Sequence, residues 1–113
     1  FMSINLAKPM ETVEQNPFVL CAWPSFSDQP YINNYRVYDD RVGETTRFTY
    51  RPEHEWYWLP QQQPNEVSML KCYDSVTDGS VSRWSFHSAC VDSTAPEDAR
   101  CRKNVVVRSF VFF

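Results

Sequence analysis

"SFHSACVDSTAPEDARCRKNVVVRSFVFF", Ser85 to Phe113, places two apolar runs on either side of a loop rich in Pro, Asp and Ala. The first run extends back to Val81 and the second begins at Val105; both are dense in β-branched or aromatic residues, the composition of strands. Successive strand residues point to opposite faces, so Trp84, Phe86 and Cys90 belong to one side and Arg83, Ser85, His87 and Ala89 to the other. His87 therefore faces away from the aromatic side. In the last run both faces are apolar except at Arg108, which shares its side with Val106, Phe110 and Phe112. Such a pattern predicts a central strand with Arg108 partly buried. A buried guanidinium needs an anionic partner, either an internal Asp or Glu or the carboxylate of a ligand.

Outward from this stretch, strand-like runs recur at Ser3 to Leu6, Phe18 to Trp23, Thr45 to Arg51, Glu55 to Leu59 and Val67 to Tyr73, giving seven in all with the two already described. Glycine is confined to Gly43 and Gly79, each read as marking a hairpin turn, and helical signals are scarce. With 113 residues and no interdomain linker, residues 1–113 are expected to form one all-β barrel or sandwich. A net charge of -3 gives no reason to expect nucleic acid, and no apolar run approaches the roughly 20 residues of a membrane helix. Without a secretory leader the chain is expected to be soluble and cytoplasmic. Cys21, Cys72, Cys90 and Cys101 lack zinc-site spacing and read as core thiols; a Cys90–Cys101 disulfide is disfavoured in a reducing compartment.

The second half of the chain resembles the hydroxylase/desaturase family of iron(II)/2-oxoglutarate oxygenases related to cephem methoxylase and gibberellin desaturase. The residues that carry the likeness are His54, Trp56, Tyr57, Glu66, Leu70, Lys71, Asp74, Ser75, His87, Ala89, Asp92, Arg102, Val107 and Arg108. Upstream, "INLAKPM" and "PFVLCAWPS" resemble the family's Asn-x-Trp-Arg-Pro and Leu-Cys-Asp segments, with Ala7 and Ala22 in place of the usual tryptophan and aspartate. The resemblance implies a truncated jelly roll. It also implies an iron site built from a His-x-Asp pair and a later histidine, matched here by His87, with a later arginine holding the co-substrate. No His-x-Asp pair precedes His87. In His54-Glu55-Trp56 the two donors would point to opposite faces of a strand. Met2 reads as the natural start, which would leave the metal-binding half outside the gene.

The resemblance, with its iron site missing, implies a metal-free enzyme of natural-product biosynthesis, with no cofactor, that cyclises, isomerises or dehydrates an apolar small molecule. His87 would transfer protons, while Arg108 or Arg102 would polarise a carbonyl. Tyr50, Tyr57, Trp56, Trp58 and Arg83 would line the pocket, although paired tryptophans on one strand face are also ordinary core. The alternatives are an oxygenase fragment completed by a partner chain and a non-catalytic binding or scaffold domain. Unpaired strand edges, above all that of "VVVRSFVFF", lead to the expectation of a homodimer. His54, between Glu53 and Glu55, reads as solvated or loop-bonded.

Overall fold

The computed structural model describes residues 1–28 and 30–113. Among them are eight strands, β1 (Met2–Pro9), β2 (Phe18–Cys21), β3 (Ile32–Val37), β4 (Val42–Arg47), β5 (Trp56–Trp58), β6 (Ser68–Asp74), β7 (His87–Ala89) and β8 (Asn104–Val111), with a 3-10 turn over Trp23–Ser25. They form two three-stranded antiparallel sheets, β6-β1-β8 and β5-β2-β7, and a separate β3-β4 ribbon. The expected all-β architecture is what the chain adopts. Among the described residues no helix is long and apolar enough to cross a membrane.

β1 is the central strand of its sheet because its residues suit burial on one side and pairing on both edges. Ser3 and Ala7 are small and buried, and Pro9, which cannot donate to a ladder, closes the strand. The partner register shifts at Ser3/Ile4: Ser3 pairs with Tyr73 and Ile4 with Lys71, so Cys72 is the extra residue of a bulge on β6. On the other edge Asn5 pairs with Arg108 and Ser3 with Phe110. The alternation read from the sequence thus holds on β8, with Val106, Arg108 and Phe110 on one side.

Four expectations about strands and turns are corrected. The Val81 to Val91 run is a strand only over His87–Ala89. Its earlier residues make other contacts: Ser82 Oγ bonds to the Trp84 carbonyl, and the Ser85 N–H donates to the Lys71 carbonyl at 2.8 Å. The turn placed at Gly43 lies instead at Tyr38 to Arg41, where the Tyr38 N–H donates to the Arg41 carbonyl at 2.8 Å. Gly43 sits within β4, where a Cβ would lie 3.3 Å from the Tyr38 ring, and the strand before it, β3, is additional to the expected seven. Gly79, at φ +81°, does occupy a turn, with Asp78 accepting from Ser80, but that turn lies in the long connection between β6 and β7 rather than at a tight hairpin. Finally, β8 pairs with β1 alone among the described strands, so it is an edge strand rather than a central one.

Ala7, Val13, Val19, Cys21, Phe26 and Leu70 form the buried apolar set. Beside Cys21 an aromatic cluster extends it: Phe86 meets Phe48 at 4.0 Å and Phe26 at 4.6 Å between ring centres, and His54 packs edge-on to Phe48 at 5.0 Å. Such edge-to-face contacts suit the ring quadrupoles. His54 is therefore buried rather than solvated, and its Nδ1 accepts from the Arg51 N–H, the loop bonding expected. All four cysteines are free thiols; Cys21 alone is buried, and Cys101 is exposed, outside the core to which the sequence assigned it.

Candidate active-site cavity

One cavity of about 620 Å³ draws its walls from both three-stranded sheets and from the ribbon. β1 supplies Ser3 and Asn5, β8 supplies Arg108 and Phe110, β6 supplies Lys71 and Tyr73, β7 supplies His87, and β4 supplies Glu44 to Thr46. Trp84, Ser85 and Phe86 complete it just before β7; because they lie outside the strand, His87 lines the same space as the aromatic residues it was expected to face away from. The two residues that the sequence singled out first, His87 and Arg108, thus line the same space although they stand on different sheets.

His87 lies on the side of its sheet that carries Leu20 and Tyr57, since Leu20 pairs with both. Its Nδ1 lies 2.6 Å from the Ser85 carbonyl. A carbonyl only accepts, so Nδ1 carries the proton and the neutral ring keeps its lone pair on Nε2. That is the tautomer suited to taking a proton, or to donating an electron pair, at Nε2. Arg108 is exposed, and its Nε donates to Asn5 Oδ1 at 3.0 Å. The expectation of a partly buried guanidinium is overturned by the edge position of β8. Asn5, a neutral acceptor, is its hydrogen-bond partner, which leaves the positive charge for an anionic or carbonyl oxygen.

Sequence reasoning did not place Lys71, Tyr73, Trp84 or Glu44 in the site. Lys71 pairs with Asp74 at 2.6 Å, and Asp74 is only 2 % exposed. The bond from Lys71, then that from the Val76 N–H at 3.0 Å, holds the Asp74 carboxyl below the usual carboxylate range. The same turn is tied to the cavity wall by Arg83, whose Nε donates to the Asp74 carbonyl at 3.1 Å while its guanidinium lies over Tyr73 and Trp84. Arg83 therefore braces the wall and lines a smaller cleft of about 190 Å³ beside Trp84.

The other predicted site residues are dispersed. Arg102 lies 3.6 Å over the Phe18 ring, where partial burial lowers its pKa, and it is absent from the wall shared by His87 and Arg108. Trp56 and Trp58 line a different cleft on the opposite face of their sheet. Tyr57 is exposed; its hydroxyl donates to Glu55 at 3.2 Å, and the Glu55 charge raises its pKa. Tyr50 is exposed at the rim of the His54 cluster.

Among the described residues, no group of three or more His, Cys, Asp or Glu side chains is placed to hold a metal ion. The donors lining the cavity are His87, Glu44 and Cys72, which do not make the two-histidine, one-carboxylate arrangement of an oxygenase.

The arrangement of strands is that of the oxygenase jelly roll. It superposes on the iron and alpha-ketoglutarate-dependent endoperoxidase NvfI with a TM-score of 0.81 at 23% identity, covering 95% of this chain and 40% of that one. Residues 1–112 match the family described as Oxidoreductase/YMDC permease-like domain, and the chain belongs to that family. It is also 30% identical over 112 residues to the alpha-ketoglutarate-dependent dioxygenase tstK of Talaromyces stipitatus, covering 97% of this chain and 40% of that protein. To the hydroxylase/desaturase asaB of Aspergillus flavus it is 26% identical over 123 residues, covering 97% of this chain and 54% of that protein. The chain thus spans 40% to 54% of the length of these relatives.

Proposed function

We propose that the chain forms the substrate-facing wall of an enzyme cavity derived from the oxygenase jelly roll, and that it acts on an apolar intermediate of natural-product biosynthesis. The observation that carries this reading is the convergence of His87 and Arg108 on one cavity walled by Trp84, Phe86, Tyr73 and Phe110. Aromatic walls hold and orient an apolar molecule, which lowers the barrier to cyclisation or isomerisation by restricting it to a reactive shape. His87, with its proton fixed on Nδ1, takes or returns a proton at Nε2; Arg108 stabilises negative charge developing on a substrate oxygen. Proton transfer, orientation and charge stabilisation are what these residues supply by themselves, and an isomerisation or dehydration needs no more.

A second reading is favoured by the relatives whose names describe alpha-ketoglutarate-dependent dioxygenases. In it, His87 becomes one ligand of an iron site, and the remaining ligands come from polypeptide outside these 113 residues. The two readings separate on one measurement. Turnover that persists in excess chelator, without added 2-oxoglutarate, is expected for the first; activity that requires iron, 2-oxoglutarate and oxygen together would replace it with the second.

The same edge that exposes Arg108 supports a homodimer. β8 is apolar on both faces, with Val105, Val106 and Val107 each about half exposed, and its outer edge has no partner strand among the described residues. Such an edge is ordinarily paired or covered. Antiparallel pairing of β8 with a twofold-related copy would satisfy both edges at once. Sedimentation at low micromolar concentration is expected to give twice the mass of 13.3 kDa; a monomer with no concentration dependence would refute the dimer.

A further inference from the structure

On the face of the β5-β2-β7 sheet opposite His87 lies a second cleft, of about 610 Å³, that the reading above does not use. Val19 forms its floor, paired with Trp58 on one side and Ser88 on the other, and Trp56 follows on the same face two residues from Trp58. Trp56 is half-buried and Trp58 is 50% exposed, so both indoles have surface available. The loop after β7 closes one side with Asp92, which carries the single formal charge in the lining; no Lys, Arg or His accompanies it among the described residues. The Asp92 carboxylate accepts from the Thr94 N–H at 2.8 Å and from the Thr94 hydroxyl at 2.6 Å. Those bonds hold it below the usual carboxylate range and therefore ionised.

We propose that this cleft binds a small organic cation of the methylated or quaternary ammonium class. Two indoles and one uncompensated carboxylate favour a positive charge, and the apolar lining from Val19, Pro60 and Val91 matches methyl groups rather than a strongly hydrated ammonium. An anion is repelled by Asp92. A neutral apolar molecule would gain contact with the indoles but nothing from the carboxylate, and the difference is what the experiment reads.

The probe is choline, titrated at constant ionic strength against the four indole N–H resonances, assigned through Trp23→Phe, Trp58→Phe and Trp84→Phe proteins, with Trp56 as the remaining signal. Signals of Trp56 and Trp58 are expected to move while those of Trp23 and Trp84 stay. The neutral isostere 3,3-dimethyl-1-butanol should bind about tenfold more weakly. Asp92→Asn keeps an oxygen for the Thr94 bonds, and should weaken choline about tenfold while leaving the neutral compound unchanged. Equal binding of the two compounds, a response at Trp84 in the inner cavity, or no response at Trp56 and Trp58 would each overturn the proposal. The result is independent of turnover at His87, because the two sites lie on opposite faces of the sheet.

Discussion

A His87→Ala protein is expected to fold as its parent does and to turn over about 100-fold more slowly, the usual loss when a positioned proton-transfer group is removed. Its fold should survive because His87 is exposed and belongs to a three-residue strand, and its ring gives up one bond to the Ser85 carbonyl, which water can replace. Thermal midpoint and steady-state turnover, measured side by side, check the two halves of the expectation. A folded protein with undiminished turnover would leave orientation by the aromatic walls as the source of catalysis and make His87 structural. Arg108→Ala should likewise fold, since the guanidinium is exposed and Asn5, left behind, is neutral. This reverses the expectation of Arg108 as a partly buried charge that needs an anionic partner.

Asp74→Asn is expected to cost more stability than either of those changes, and to change its pH dependence. Asp74 is almost wholly buried, and its two oxygens serve the Lys71 ammonium and the Val76 N–H. Asparagine can keep one of these bonds but not the ion pair. Because the folded carboxyl is depressed, its contribution is fully present above the unfolded value of about 3.9 and disappears as pH falls through the lower folded value. The parent should therefore be the more stable protein at pH 7, and the gap should close in acid. Urea midpoints at pH 7 and pH 2 test this. An equal gap at both would mean that the substitution acts through packing rather than through the ionised pair.

Strand alternation was legible on β8, where it is a local property of the backbone, and failed before β7, where Trp84 and Phe86 lie outside any strand and line the same cavity as His87. The side of β8 shared by Val106, Arg108 and Phe110 follows from parity alone, and the pairing of β1 with β8 bears it out. Strand extent was not legible. Val81 to Ser85 are as strand-like in composition as His87 to Ala89, but tertiary hydrogen bonds to Lys71 and Asp74 take up that segment instead. β3 escaped notice for the opposite reason: Asn33, Asn34 and Arg36 interrupt the apolar pattern on both faces, and the strand is mostly exposed and paired only with β4. The central placement of β8 failed because hydrophobicity reports what a strand is suited to touch, not which strands stand beside it. At the cavity, the contact of Asn5 with Arg108 joins residues 103 positions apart, a closeness that no linear spacing encodes. Lys71 and Asp74 were visible as part of the family likeness, yet nothing in their spacing says that a bulge at Cys72 interrupts the register between them.

The β3-β4 ribbon gives the cavity a clock of its own. Its six ladder pairs run from Ile32↔Arg47 to Val37↔Val42 in a two-stranded sheet separate from both three-stranded ones, and its residues are mostly exposed, yet Glu44, Thr45 and Thr46 form part of the cavity wall. A two-stranded ribbon with so little buried surface opens at a much lower free energy than a sheet around a central strand such as β1. Amide protons of β3 and β4 should then exchange with solvent through local openings, while those of β1 wait for the whole domain. Molecules entering or leaving beside Thr45 and Thr46 would meet a wall that moves on that faster timescale rather than on that of global unfolding.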